Sequence, residues 1–256
     1  MNLGEIGEAL ALDTAFWLEG ANNPDHPFEE MGALCLDLAG KFRSLAIICL
    51  LAKGNNDLFH HHLMRAGQTW KKYLKRVHRE EAFDDHHFCS GRYEPLLDAI
   101  AAFDLTLARR ITQLSPGESR EGHEYEDDYC YAQIIARFLA EPPKEDEIES
   151  LLERFAAYLE GQSNARLAIS RALTARDQTA FNASFAELLD TRDLEIEALK
   201  GRRQLEDPKV VAECRVFVEG LAVLRLAEHR GLRTEQEYRY CPSLARVPMQ
   251  TPFPGE

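Results

Sequence analysis

Leu, Ile, Phe and Ala recur three and four positions apart along most of the 256-residue chain, the spacing that lines one face of an α-helix. Alternating β-branched runs bounded by turns are missing. The pattern predicts an all-α protein with helices near 5–19, 29–53, 57–80, 92–102, 104–114, 124–140, 143–160, 164–175, 177–200 and 208–230. Short polar connections between neighbours imply a multi-helix bundle of antiparallel αα-hairpins, roughly ten helices in all. Residues 1–245 read as one all-helical domain, divisible into 1–114 and 124–245, and 246–256 as an extended tail punctuated by Pro248, Pro252 and Pro254.

Several boundaries are written in local chemistry. Pro142-Pro143 opens a helix whose first turn carries Glu145, Asp146 and Glu147, which complement the exposed amides and the dipole there. Ser163 reads as an N-cap, and Asp207-Pro208 as an N-cap followed by proline at the first helical position. His229-Arg230-Gly231 is a cationic last turn closed by glycine, so 208–230 is expected to be a single helix. Thr234 with Glu237 has capping-box spacing and predicts a short helix before Pro242 ends regular structure. The sharp turns at Ala101-Ala102-Phe103-Asp104 and Thr174-Ala175-Arg176-Asp177, with a looser one over Leu51–Asp57, fit either a bundle or a solenoid-like stack of helix pairs, although no period is sustained.

Charge narrows the partners. The chain carries 43 acids against 30 Lys and Arg, for a formal charge of −13, which disfavours nucleic acid and anionic membranes and favours a basic partner. Its most apolar stretch, Leu45–Ala52, is too short for a membrane span, and the start lacks the basic-then-apolar order of a secretory signal. A cytoplasmic protein is expected. The six cysteines form no CxxC pair and sit among apolar neighbours, as reduced and mostly buried thiols would. Negative charge concentrates between Ser115 and Glu153, where twelve acids face three bases.

Candidate chemistry is sparse. Three consecutive histidines, His60-His61-His62, point about 100° apart on a helix and cannot converge on one ion. Asp84-Asp85-His86-His87-Phe88-Cys89 reads as a solvated turn rather than a metal site, so no metal ligand and no cofactor is expected. The nearest approach to a nucleophile elbow, Gly161-Gln162-Ser163-Asn164-Ala165, lacks the second glycine and a preceding strand. No catalytic residue can be named, which points to a binding protein rather than an enzyme. The acidic block is the candidate surface: Glu118, Glu121, Glu124, Glu126, Asp127, Asp128, Glu145, Asp146 and Glu149 supply charge, with Tyr125 and Tyr129 as contact aromatics and Tyr131 beside them.

The C-terminal half carries a further pattern: Leu151-Leu152-Glu153-Arg154, Arg166-Leu167-Ala168, Arg171-Ala172-Leu173, Asp177-Gln178-Thr179-Ala180-Phe181, then Leu221 through Leu232, Glu237-Tyr238 and Cys241-Pro242-Ser243-Leu244. Over roughly residues 93–245 this resembles a bacterial polymorphic-toxin immunity family, immunity protein family 49. The residues before about 90 carry no matching motif, and Arg239-Tyr240-Cys241 departs from the form expected before that proline. The resemblance implies an all-helical cytoplasmic inhibitor without a cofactor, which binds a cognate toxin or secreted effector and occludes its active or substrate-binding surface. A nuclease toxin, with a basic substrate surface, would suit the acidic block. The other reading is a helical-repeat scaffold or adaptor with no toxin partner.

Overall fold

A computed structural model describes residues 3–201 and 208–254. Eleven α-helices are described: α1 Leu3–Asn22, α2 Phe28–Lys53, α3 Asn56–Glu80, α4 Glu94–Ala101, α5 Leu105–Leu114, α6 Glu126–Leu139, α7 Glu145–Tyr158, α8 Ala165–Ala175, α9 Gln178–Gly201, α10 Pro208–Glu213 and α11 Val218–His229. No strand occurs among the described residues, so the all-α expectation holds and most predicted helices lie within two or three residues of their observed ends.

The hairpin turns share one device. The residue closing the first helix sits in the left-handed region, at Gly54 (φ 59°), Phe103 (φ 64°) and Arg176 (φ 53°), and the next polar residue caps the following helix. Asn55 accepts from Leu58 N, Asp104 from Leu107 N, and Asp177 from Thr179 N and Ala180 N. One residue reverses the chain and the next satisfies the orphan amides, so almost no loop is needed. The N-cap of α8 is Asn164 rather than Ser163: the Asn164 carboxamide accepts from Arg166 N and Leu167 N.

Helix α2 lies at the centre. Its run Leu45–Leu50 is buried on all sides, as expected of a helix apolar around its circumference. α3 packs along it and buries Phe59, Leu63, Trp70, Tyr73 and Val77, with the Trp70 and Tyr73 rings stacked 4.6 Å apart. Later helices return to this centre, α10 against α2 and α11 against α4. Arg43 of α2 and Asp98 of α4 form a bidentate pair at 2.7 and 2.8 Å, with Asp98 wholly buried. All six cysteines are free and buried.

The 208–230 segment corrects the sequence reading. It is two helices broken over 214–217, and Asp207 lies outside the described residues. At the break Phe217 N donates to Tyr240 O at 2.8 Å, and Arg192 covers the α10 end by donating to Glu213 O at 2.8 Å. The Arg192 guanidinium lies 5.2 Å over the Phe217 ring. Tertiary partners thus replace the helical hydrogen bonds of a valine-rich stretch with modest helical propensity. The predicted stop at Gly231 is present, with φ 84° and Leu232 N bonded to Ala227 O.

The short helix expected at Thr234 is absent. Thr234 Oγ1 donates to Glu228 instead, Glu237 accepts from Ser243, and a 3₁₀ turn forms at Ser243–Arg246, beyond Pro242. The tail that follows is extended and docked. His60 and His61 donate through Nε2 to Val247 O (2.9 Å) and Thr251 O (3.0 Å), while Asp57 accepts from Gln250 N and Thr251 N. His62 points elsewhere and stacks on Phe42, so the three histidines diverge as expected.

Burial, then Arg65 and His61, push His62 down to about 4. A folded value below the unfolded one, about 6.5, means the stability from a neutral ring is fully present above that value and lost as pH falls toward 4. The loss between pH 6.5 and 4 is expected to be about 2 kcal/mol smaller in His62→Phe, measured by urea unfolding across that range. An unchanged pH slope would refute the assignment.

Candidate partner-binding surface

The acidic block divides into residues that build the fold and residues that face outward. Glu124 accepts from Gly91 N (2.5 Å) and Arg120 N (2.9 Å), tying two loops, and burial raises its carboxyl. Glu126 takes a bidentate pair from Arg154 of α7, with Nη2–Oε2 at 2.9 Å, and a bond from Ser119. Asp128 accepts from the Tyr93 hydroxyl at 3.0 Å and lies 3.5 Å from Arg166; burial raises its carboxyl too. Tyr129 is buried, donates to Gly117 O, and carries the Arg154 guanidinium 4.7 Å over its ring. Tyr131 is buried beneath Tyr93. Glu145 pairs with Arg230 (2.8 Å) and Arg176 (3.3 Å), and those bonds, Arg230 first, hold its carboxyl below the usual range.

The outward set is Glu118, Glu121, Asp127, Asp146, Glu149 and Glu153, none of which has an ion pair or hydrogen bond among the described residues. Asp146, Glu149 and Glu153 fall at i, i+3 and i+7, one stripe along α7. The Glu126–Arg154 pair shows that the end of α7 lies beside the start of α6, so the stripe continues toward Asp127 and the loop carrying Glu118, Glu121 and Tyr125. Tyr125 is 72% exposed, an unusual position for a large aromatic. The geometry offers a negatively charged strip with one aromatic at its end.

Other clusters are internally committed. Asp85, His86 and His87 bring ligand-type atoms within 4.8 Å of one another, but Asp85 already accepts from the Tyr73 hydroxyl (2.6 Å) and His87 N (2.8 Å). A polar cavity of about 160 Å³ contains Arg43, Arg166, Arg192 and Glu219. Its cations are paired: Arg166 with Glu219 at 2.7 and 2.9 Å, Arg43 with Asp98, Arg192 with Glu195. These bonds fasten α2 to α4 and α8 to α11.

The sequence reading missed a second charged feature. A groove of about 870 Å³ runs beside α3 and is lined by Arg65, Lys71, Lys72, Lys75, Arg76 and Arg79. The signal was visible as five bases in the nine residues Lys71–Arg79 of an acidic chain. Its apolar floor was not, because Leu18, Met31, Phe42 and Phe253 come from distant segments.

A family model described as Immunity protein 49 matches residues 58–245, beginning within α3 and so earlier than the resemblance traced from about residue 93. No curated protein and no solved structure matches the chain.

Proposed function

The chain belongs to the immunity protein 49 family, and on that premise we propose that it binds a cognate toxin or secreted effector in the cytoplasm and neutralises it by covering a surface the toxin needs. Family membership carries the reading, and the outward strip from Asp146 to Tyr125 supports a location for the contact. A toxin acting on nucleic acid must present a basic surface to phosphates, and the strip is complementary to such a surface. Specific complexes of this kind bury about 1,600 Å² and rely on a few anchors, for which Tyr125 is suited by size and exposure. Inhibition by coverage requires neither a cofactor nor a chemical step.

Co-expression with a candidate toxin domain from a neighbouring gene tests the proposal. Growth is expected to be restored, and the two proteins are expected to co-purify through size exclusion. Rescue without a complex would overturn inhibition by binding and point to enzymatic reversal of damage. Failure to rescue would overturn the immunity reading for that toxin.

A further inference from the structure

The groove beside α3 inverts the charge of the rest of the molecule. Six of the chain's 30 Lys and Arg line it and none of its 43 acids does. Arg65, Lys72, Lys75 or Arg76, and Arg79 follow one another along one face of α3. The fourteen steps from first to last span about 21 Å at the rise of an α-helix. Beneath this row the accessible apolar surface is Leu18 with Phe253 and Pro254 of the docked tail, backed by the buried side chains of Ala21, Met31 and Phe42.

Two cations shape the wall. Lys72 donates to Asn22 Oδ1 at 2.6 Å, and Arg76 donates to His26 O at 2.8 Å while lying over Phe28. Of the rest, Arg65 and Lys75 have no carboxylate within ion-pair distance among the described residues, and Arg79 pairs with its neighbour Glu80, at 2.9 Å.

We propose that this groove is a docking site for an acidic amphipathic segment of a protein partner, whose carboxylates meet Arg65, Lys75 and Arg79 and whose apolar side chains rest on Leu18, Phe253 and Pro254. A helix laid along α3 repeats its side chains every three and four residues, the interval at which α3 presents its cations. The floor separates this occupant from a nucleic-acid strand, whose phosphates would use the cations but leave the apolar surface uncovered. The site is distinct from the acidic strip and does not depend on the toxin-binding reading.

Fluorescence anisotropy on the full chain at low salt tests it with three labelled probes: a 15-residue helical peptide with glutamates on one face and leucines on the other, the same composition scrambled so that the faces mix, and a single-stranded oligonucleotide of equal charge. The amphipathic peptide is expected to bind saturably and at least tenfold more tightly than the other two. Binding is expected to weaken at least tenfold in the Arg65→Glu, Lys75→Glu, Arg79→Glu variant. The milder Arg65→Gln, Lys75→Gln, Arg79→Gln variant serves if the first fails to fold, with the same direction of effect. No saturable binding of the amphipathic peptide would overturn the proposal, as would equal binding of the scrambled peptide or the oligonucleotide. Self-association in sedimentation velocity that the triple variant abolishes would overturn it in favour of a second copy.

Discussion

Replacing Asp98 with alanine is expected to lower the free energy of unfolding by about 3–5 kcal/mol, a large share of the ~5–15 kcal/mol that holds most domains folded. Asp98 is wholly buried and supplies both oxygens to Arg43, so its removal strands a guanidinium between α2 and α4. Glu213 lies 3.8 Å from that guanidinium and compensates in part, which favours the lower end of the range. Burial raises the Asp98 carboxyl to about 6 even though Arg43 pulls it down. Desolvation therefore outweighs attraction, and the pair fixes which helices meet more than it stabilises them. The double variant Arg43→Met with Asp98→Leu should accordingly regain most of the loss. Urea unfolding followed by circular dichroism measures all three proteins. A single-variant loss below about 1 kcal/mol would refute the account of a costly stranded charge.

How much was legible follows from where each signal lies. Helices announced themselves because their apolar period and caps are local: Asp104 and Asp177 are read directly from the residues around them. The break before Val218 was not, because the acceptor at Phe217 N is Tyr240 O, twenty-three residues away and outside any window of periodicity. Thr234 and Glu237 failed for the related reason that Glu228 and Ser243 compete for their side chains. The acidic block was legible as composition but not as geometry. Glu126 and Asp127 are neighbours in sequence, yet one is locked to Arg154 and the other carries no partner, a distinction that depends on helices brought together by the fold. The groove beside α3 shows the same limit from the opposite side: its cations lie on one helix, its floor is assembled from two others and the tail.

That division of the acids sets the second large effect. Reversing the outward residues in Asp127→Lys, Asp146→Lys, Glu149→Lys and Glu153→Lys together is expected to slow association with the toxin about 10–100-fold at low ionic strength and to flatten its salt dependence. Dissociation should change far less, since steering acts on encounter rather than on the docked complex. None of these four side chains holds another element in place, so the melting temperature should stay within a few degrees. Glu126→Lys must behave differently: it removes the partner of Arg154 and sets two cations together at the α6–α7 contact, so its cost falls on folding. A general field effect is separated by reversing Glu8, Glu19, Asp25 and Glu187, four exposed acids elsewhere with the same change in net charge. Stopped-flow association at several salt concentrations reads out both sets. Equal slowing by the two sets would leave only the overall charge at work and remove the α6–α7 strip as the interface; slowing confined to the first set, with Tyr125→Ala accelerating dissociation, is the result that the strip with its exposed aromatic predicts.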